Sequence, residues 1–366
     1  MTNREYKRLG DYIHEVNVRN REEQVTNLLG LSIEKRFIPS IANTIGTDMS
    51  TYKIVYPMQF AYVPVTSRNG EKITIALYKG SESAIISQAY TVFEITNPNV
   101  LLPEYLMMWF RRSEFDRYAR FHSHGSAREV FDWNEMCNVY LPIPNIDEQR
   151  KIVAEYQAVE QRIENNNRLI KTLEDTAQAI YHHTFVENID PENLPEGWNE
   201  KGFDEVAKFK VGGDCPDVFS ETKTDVCNIP IYSNGEDMEG LYGYTDKAVV
   251  TEDSFTISAR GNVGTCFLRR HPYRGIVRLV SVIPINYKML YYLYFNMSAR
   301  NLQGDGSAQS QITVPQLSSE KIVIPKQNLI ENFYEKCEII YDNIESLKRE
   351  QMVLTEVKSL LLSKLS

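Results

Sequence analysis

The sequence repeats itself at an offset of 181 residues. At this offset residues 125–127 (Gly-Ser-Ala) align with 306–308, and residues 143–144 (Ile-Pro) align with 324–325. Each copy reads as a polar Gly-Ser-Ala loop, a short strand ending in Ile-Pro, and a long helix. An internal repeat constrains architecture more strongly than a single motif does. The repeat therefore predicts two similar but non-identical modules.

Composition indicates an ordinary globular protein. The 366 residues are 42% hydrophobic and 24% charged, and this length suits two domains. The first residues contain no apolar segment, so no signal peptide is expected, and no apolar run is long enough for a membrane helix. The five cysteines are scattered without a CxxC pair. This favours a reducing compartment over a disulfide framework or a zinc site, and we expect a cytoplasmic protein.

The charge is distributed unevenly. The net charge is −9 and the acidity is concentrated in residues 146–197, whereas residues 254–304 contain no Asp or Glu. A basic tract inside an acidic protein indicates a polyanion-binding surface. The alternative is a strand-rich core segment whose few charges happen to be positive. The cations of this tract are Arg260, Arg269, Arg270, Arg274, Arg278, Lys288 and Arg300.

Two long segments have a narrow apolar stripe. From Asp147, and again from Phe333, apolar residues recur at alternating steps of four and three, which is typical of helices that pair. Asn166 and Gln351 interrupt the stripes. We predict that the two helices pair with each other; the alternative is two helices that each dock on their own domain. The predicted stripe contains Ile152, Val159, Ile163, Ile170, Leu173 and Ile180 in the first helix, and Phe333, Ile340, Ile344, Leu354 and Leu361 in the second.

The segments before the helices mix strand and helix patterns, which predicts an α+β fold with two mixed α/β domains. The predicted strands are 52–56, 73–77, 89–95, 229–233, 254–259, 264–268 and 275–285, and the predicted shorter helices are 103–121 and 287–302. Pro and Gly residues mark a linker. The predicted segments are domain 1 (1–146), a central helix (147–187), the linker (188–197), domain 2 (198–326) and a C-terminal helix (327–366).

No catalytic or metal-binding signature is recognisable. The chain has neither a Walker loop nor the Asn/Asp-Pro-Pro-Tyr/Phe tetrad of N6-adenine methyltransferases. The pairs His122/His124 and His182/His183 lack the context of a metal site. The acidic residues between 214 and 221 are explained more simply as a solvated turn than as a nuclease site. We therefore predict no catalytic residue and no bound metal.

The repeated loops carry the chemistry of nucleic-acid binding. Arg, Gln and Asn pair with base edges, whereas Ser suits phosphates. Any one of these loops taken alone is more simply an ordinary hydrophilic loop, but together with the basic tract they favour DNA. The candidate DNA-binding residues are Arg68, Asn69, Lys72, His124, Ser126 and Arg128 in the first half, and Arg260, Asn262, Arg269, Arg270, Tyr273, Arg274, Ser307, Gln309 and Gln311 in the second.

Residues 194–198 read Leu-Pro-Glu-Gly-Trp, and residues 256–264 read Thr-Ile-Ser-Ala-Arg-Gly-Asn-Val-Gly. In this order the two segments resemble the opening and the middle of the second target-recognition domain in the specificity subunit of type I restriction–modification systems. Residues 141–153, with Asp147-Glu-Gln-Arg, resemble the junction into the conserved helix and are the most specific match. The second junction, at 324–329, lacks Glu-Gln-Arg.

The resemblance implies a role in sequence-specific recognition of double-stranded DNA. Each mixed domain would read one half of a split target, and the two helices would form an antiparallel coiled coil that sets the gap. The chain itself would catalyse nothing and bind no cofactor. Its expected partners are type I methyltransferase subunits, two in number, which use S-adenosylmethionine, and restriction (motor) subunits, which use ATP and Mg²⁺.

Two other classes of function stay open. A coiled-coil scaffold could carry two protein-binding domains without reading DNA sequence. An enzyme that acts alone on nucleic acid would need an acidic cluster or a nucleophile that the sequence does not display.

Overall fold

Two compact units make up the chain in the computed structural model. Unit 1 comprises Met1–Asn166 and Arg349–Ser366, and unit 2 comprises Asn167–Lys348. Each unit therefore contains one mixed domain together with a segment of each long helix, so the units cut across the five predicted segments. The structure describes residues 5–40, 46–67, 70, 72–125, 128–300, 302 and 311–365.

Short strands and three helices precede the first long helix. The strands are β1 (Tyr6–Arg8), β2 (Ile13–Val16), β3 (Leu29–Leu31), β4 (Phe37–Pro39), β5 (Lys53–Val55), β6 (Phe60–Tyr62), β7 (Ile75–Leu77), β8 (Ala84–Ile86), β9 (Thr91–Ile95) and β10 (Tyr140–Pro142). The helices are α1 (Pro103–Phe110), α2 (Ser113–Phe121), α3 (Trp133–Cys137) and the long α4 (Ile146–Phe185).

The second half of the chain has a similar order of elements. The strands are β11 (Asn199–Gly202), β12 (Ala207–Val211), β13 (Ile229–Tyr232), β14 (Leu241–Thr245), β15 (Ser254–Ile257), β16 (Cys266–Arg269), β17 (Arg274–Gly275), β18 (Val280–Pro284) and β19 (Lys321–Ile324). The helices are α5 (Phe203–Val206), α6 (Leu290–Ser298), α7 (Val314–Ser319) and the long α8 (Gln327–Ser363).

The two units share one sheet topology. The main sheet has the strand order β2-β9-β6-β7 in unit 1 and β12-β18-β15-β16 in unit 2, and all of these pairings are antiparallel. In each unit a further antiparallel pair joins the first strand to the strand that precedes the long helix, β1 with β10 and β11 with β19. The repeat in the sequence thus corresponds to a repeated mixed α/β architecture.

Aromatic packing organises the core of unit 1. The rings of Phe60 and Phe93 stack at 4.9 Å between centroids, and Phe110 from α1 meets Phe60 edge-on. Tyr156 of α4 and Leu365, which follows α8, belong to the same core. Each predicted stripe residue in this unit is buried or half-buried. The two helical segments are antiparallel here, since Glu160 contacts Lys358 whereas Arg162 contacts Glu350.

The core of unit 2 is built in the same way. Phe255 and Val282 of the main sheet pack in one cluster with α6 and with both long helices. Tyr181 and Phe185 of α4 contact Phe333 of α8, with ring centroids 6.0 and 5.3 Å apart. The predicted stripe residues of this unit are likewise buried or half-buried. The long helices therefore bury their stripes partly against each other and partly against a domain, which combines the two arrangements considered from the sequence.

Two of the predicted elements are interrupted. The helix predicted at 103–121 is divided into α1 and α2, because Arg112 is extended and its guanidinium lies 4.3 Å from the Trp109 ring. The strand predicted at 275–285 is divided by a turn at Val277 and Arg278, where the backbone φ angles are positive. Among the described residues, no helix is both long enough and apolar enough to cross a membrane.

Candidate nucleic-acid interface

Two predicted loops of the first half lie side by side in unit 1. The connection from β6 to β7 meets the segment after α2: the Thr66 amide donates to the Glu129 carbonyl at 2.9 Å, and Val65 forms a bridge with Val130. The Arg120 guanidinium donates to the Gly70 carbonyl at 3.0 Å. These contacts bring together the described residues of the segments 63–74 and 122–131, and we call these described residues the loop pair of unit 1.

The described candidates on this loop pair are all exposed. Lys72 forms an ion pair with Glu34 at 3.1 Å, and His124 lies 3.9 Å from Glu135. Arg128 is exposed and forms no ion pair with the described residues. Arg68, Asn69 and Ser126 lie outside the described residues.

Unit 2 has a loop pair at the topologically equivalent place. The connection from β15 to β16 meets the segment before α7, where the Ile312 amide donates to the Ala259 carbonyl at 3.1 Å. Arg260 donates from Nε and Nη2 to Gln311 Oε1, at 3.2 and 3.0 Å. Asn262 is exposed on the same connection. We call residues 258–265 and 311–313 the loop pair of unit 2; the candidates Ser307 and Gln309 lie outside the described residues.

Arg269 is not available to DNA, so its prediction as a DNA contact is wrong. The side chain is fully buried, with its guanidinium 3.6 Å from the centre of the Tyr232 ring. Nη2 donates to the Glu239 carbonyl at 2.6 Å, and Nε donates to Thr256 Oγ1. Burial lowers the pKa of Arg269 against the opposing effect of Tyr232 and Glu239. Arg269 thus supports the loop before β14 from inside the domain.

Tyr273 and Arg270 are also structural residues. Tyr273 is fully buried, and its hydroxyl lies 3.1 Å from Ser254 Oγ. The Arg270 side chain is only 11% exposed and forms ion pairs with three carboxylates of α8. Burial would lower its pKa, but these carboxylates and Tyr291 raise it overall. The prediction that Tyr273 contacts DNA is therefore wrong as well, because its side chain is fully buried, whereas a DNA contact by Arg270 stays a prediction. The α8 partners of Arg270 are Glu338, Asp342 and Glu345.

The basic tract does not form one positively charged surface. Lys288 is paired with Glu331 at 3.0 Å, and Arg300 is paired with Glu320 at 2.6 Å. Together with Arg269 and Arg270, four of the seven cations contact carboxylates that lie outside the tract in sequence. The tract cations without an ion pair in the described ranges are Arg260, Arg274 and Arg278. Arg274 is half-buried in β17.

The Glu-Gln-Arg motif contains a structural residue that sequence reasoning did not single out. Gln149 lies in the first turns of α4 and is fully buried. Its Oε1 accepts from the Leu102 amide at 2.9 Å, and its Nε2 donates to the carbonyls of Val100 and Pro144, both at 2.8 Å. At the 181-residue offset of the repeat, Gln149 aligns with Ile330. An apolar residue at the aligned position is the sequence signal that could have indicated a buried Gln149, and both residues are fully buried.

Polar groups also lie along the helix pair of unit 1. Asn166 is fully buried and donates to Glu350 at 2.9 Å, and Glu350 also accepts from Arg162. Nearby, Glu160 contacts both Arg111 of the domain and Lys358 of α8. These contacts join the domain to both long helices within this unit.

Comparisons with known proteins agree with the motif resemblance. A family model described as "Type I restriction modification DNA specificity domain" matches residues 195–351. A Mycoplasma pneumoniae protein named as a type I specificity subunit is 32% identical over 122 residues, which are 33% of this chain and 34% of that protein. The match thus spans about a third of that relative's length.

More distant relatives match over longer stretches. The type I restriction enzyme HindI specificity subunit of Haemophilus influenzae is 21% identical, with 78% of this chain and 81% of that protein covered. The crystal structure of a type I restriction–modification system S subunit from M. genitalium has the same fold, with a TM-score of 0.65 at 14% identity, and the match covers 100% of this chain and 97% of that one. The resemblance drawn from the motifs is confirmed: residues 195–351 match the family model, and the relatives and the solved structure named above are type I specificity subunits.

Proposed function

We propose that this chain is the DNA-recognition subunit of a type I restriction–modification complex and reads a split target in double-stranded DNA. Each unit contributes one loop pair to one half of the target. The observation that carries this proposal is that two topologically equivalent loop pairs display a cation without an ion pair in the described residues, Arg128 in unit 1 and Arg260 in unit 2.

The proposed division of labour leaves the chemistry to partner subunits. Two methyltransferase subunits, using S-adenosylmethionine, dock on the long helices, and restriction (motor) subunits, using ATP and Mg²⁺, supply cleavage. The acidic character of residues 146–197 supports protein partners at this helix, because negative charge disfavours contact with DNA phosphates. The helices, as an antiparallel coiled coil, set the gap between the two half-targets.

The scaffold alternative gains support from one observation. Four of the seven cations in the basic tract are paired with carboxylates, which leaves fewer groups for phosphate contacts than the sequence indicated. Each phosphate contact steepens the dependence of the DNA affinity on salt concentration. We therefore expect the chain alone to bind DNA weakly, with an affinity that changes little with salt concentration. A scaffold would assemble with its partners and still show no sequence preference.

The test is co-expression with the methyltransferase subunit encoded nearby, followed by mapping of N6-methyladenine in the host DNA. A split motif with two defined halves and a fixed gap is expected. A stable complex without any new methylated motif would contradict the proposal and favour the scaffold.

Two substitutions test the assignment of loop pairs to half-targets. Arg128→Ala should relax or abolish selectivity in one half of the motif, and Arg260→Ala in the other half. Lys247→Ala, an exposed position that belongs to neither loop pair in sequence, is the matched control and should leave the motif unchanged. A changed base preference in both halves of the motif in either variant, with the complex intact, would contradict the one-unit, one-half assignment.

A further inference from the structure

The turn between β17 and β18 has an unfavourable sequence for its geometry. The Leu279 amide donates to the Ile276 carbonyl at 3.0 Å, and the two central residues have φ angles of 52° (Val277) and 61° (Arg278). Positive φ at both central positions is the signature of a type I′ turn, which favours Asn-Gly. A β-branched Val at such a position is strained. Strain of this kind persists where surrounding contacts impose it, and it concentrates at functional sites.

Neighbouring backbone groups impose the turn. The amides of Val277 and Arg278 donate to the carbonyls of Gly213 and Gly212, at 2.8 and 2.9 Å. Gly212 allows this close approach, because a Cβ there would lie 2.7 Å from the Gly275 carbonyl carbon and from the Ile276 nitrogen. The turn is thus clamped to the end of β12 on both of its central residues.

One side chain connects this turn to the loop pair of unit 2. Asn234 donates from Nδ2 to the Val277 carbonyl at 2.7 Å, and its Oδ1 accepts from the Ala259 amide at 2.8 Å. Ala259 directly precedes Arg260. A single carboxamide therefore fixes the distance between the backbone next to Arg278 and the backbone next to Arg260. Arg278 itself is exposed, and it forms no ion pair with the described residues.

We propose that Arg278 is a further specificity-determining residue, which reads a guanine edge in the second half of the target, and that Asn234 is its positioning residue. This inference rests on the proposed function. A flexible loop is enough for contact with a phosphate, but a bidentate contact of arginine with guanine O6 and N7 needs a fixed orientation of the guanidinium. The clamped, strained turn supplies a fixed backbone for that contact.

The test measures binding of the assembled complex to duplex DNA that carries the target found by methylation mapping, and to duplexes with single base-pair changes. Arg278→Ala should lower the discrimination at one G·C pair by roughly 10- to 100-fold and leave the other positions unchanged. Arg278→Lys should not restore it, because a lysine lacks the planar fork. Lys247→Ala serves as the control.

Two more variants test the positioning. Asn234→Ala should lower discrimination at the same base pair, and it should have no further effect there in the Arg278→Ala background, whereas a merely structural role would lower affinity in both backgrounds. Val277→Gly should not lower the thermal stability, since glycine adopts positive φ without strain. A drop in its Tm would overturn the strain argument.

The outcomes separate this inference from the proposed function. If the complex containing the unaltered chain shows no sequence preference, the proposed function fails. If it is selective but Arg278→Ala weakens all sequences equally, reduces the salt dependence and is rescued by Arg278→Lys, then Arg278 contacts a phosphate and the base-reading proposal is overturned. Unchanged binding by Arg278→Ala would overturn it as well.

Discussion

Replacing Gln149 by isoleucine is the sharpest test of how domain 1 is joined to its helix. Isoleucine occupies the aligned position 330 of the repeat, where it is fully buried, so the side chain is a natural choice of similar bulk. At position 149, however, it cannot make the three hydrogen bonds of the glutamine to Val100, Leu102 and Pro144. The substitution therefore removes hydrogen bonding while keeping an apolar volume in place.

The expected loss of stability follows from those three hydrogen bonds. A buried hydrogen bond contributes about 1 kcal/mol net, and a buried group left without a partner costs about 1–3 kcal/mol. Three backbone groups would be affected, at about 1–2 kcal/mol each because their hydrogen bonds are only partly buried, so Gln149→Ile should lower the free energy of unfolding by about 3–6 kcal/mol. This is a large share of the roughly 5–15 kcal/mol that stabilises a typical domain.

Urea unfolding and amide hydrogen exchange measure this effect globally and locally. The Leu102 amide donates directly to Gln149, so its exchange should accelerate more than that of amides in the main sheet. Gln157→Ile, an exposed position on the same helix, is the matched control and should change stability by less than about 0.5 kcal/mol. A Gln149→Ile variant with a protected Leu102 amide and a loss below about 1 kcal/mol would refute the reasoning.

Three further perturbations test other contacts. Ile344→Asp should cost about 4 kcal/mol or more and lower the Tm, because a carboxylate would replace a side chain that is 2% exposed in the core of unit 2; an unchanged Tm would contradict the packing of α8. Burial tends to raise the pKa of Glu160, but Arg111 and Lys358 outweigh it and hold the pKa below the usual glutamate range. The stabilisation by Glu160 is therefore present at neutral pH and is lost as the pH falls below that range, so Glu160→Gln should flatten the acid side of a Tm-versus-pH curve; an acid side as steep as that of the unaltered chain would count against it. Arg270→Ala should cost about 1–2 kcal/mol, discounted for the exposure of its three carboxylate partners, and the loss should shrink in 1 M salt; a loss independent of salt would indicate packing instead of charge.

The sequence was most informative about the long helices. Their apolar stripes follow a period that few other structures share, and the stripe residues are buried or half-buried within their units. Several short strands were not predicted. The strand β1, for example, has three residues, which is too short to show alternation. Its pairing with β10 depends on backbone hydrogen bonds between residues more than 130 positions apart, which no local pattern encodes.

The sites were harder to predict than the elements, and Arg269 shows why. A stretch without acidic residues predicts a positively charged surface, but in the folded chain carboxylates from distant parts of the sequence neutralise its cations. Glu239 precedes the tract by 15 residues, and the partners of Arg270 lie more than 60 residues after it on α8. The contacts of Asn234 could not be predicted for a related reason, since its two partners, Ala259 and Val277, are brought together only by the fold.

Within the repeated units, some side chains stabilise the fold, whereas others lie exposed on the connecting loops and can change without affecting it. The main sheets of both units pair through the same antiparallel backbone ladders, which do not depend on which side chains the connecting loops carry. Gln149 and Arg269 are enclosed and fully engaged with protein groups, whereas Arg128 and Arg278 project from loops without an ion pair in the described ranges. Substitution of the enclosed residues should therefore change stability with little direct effect on what is bound. Substitution of the exposed ones should change selectivity while leaving unfolding almost unaltered, and a matched series at the four positions would reveal whether the two properties are separable in this fold.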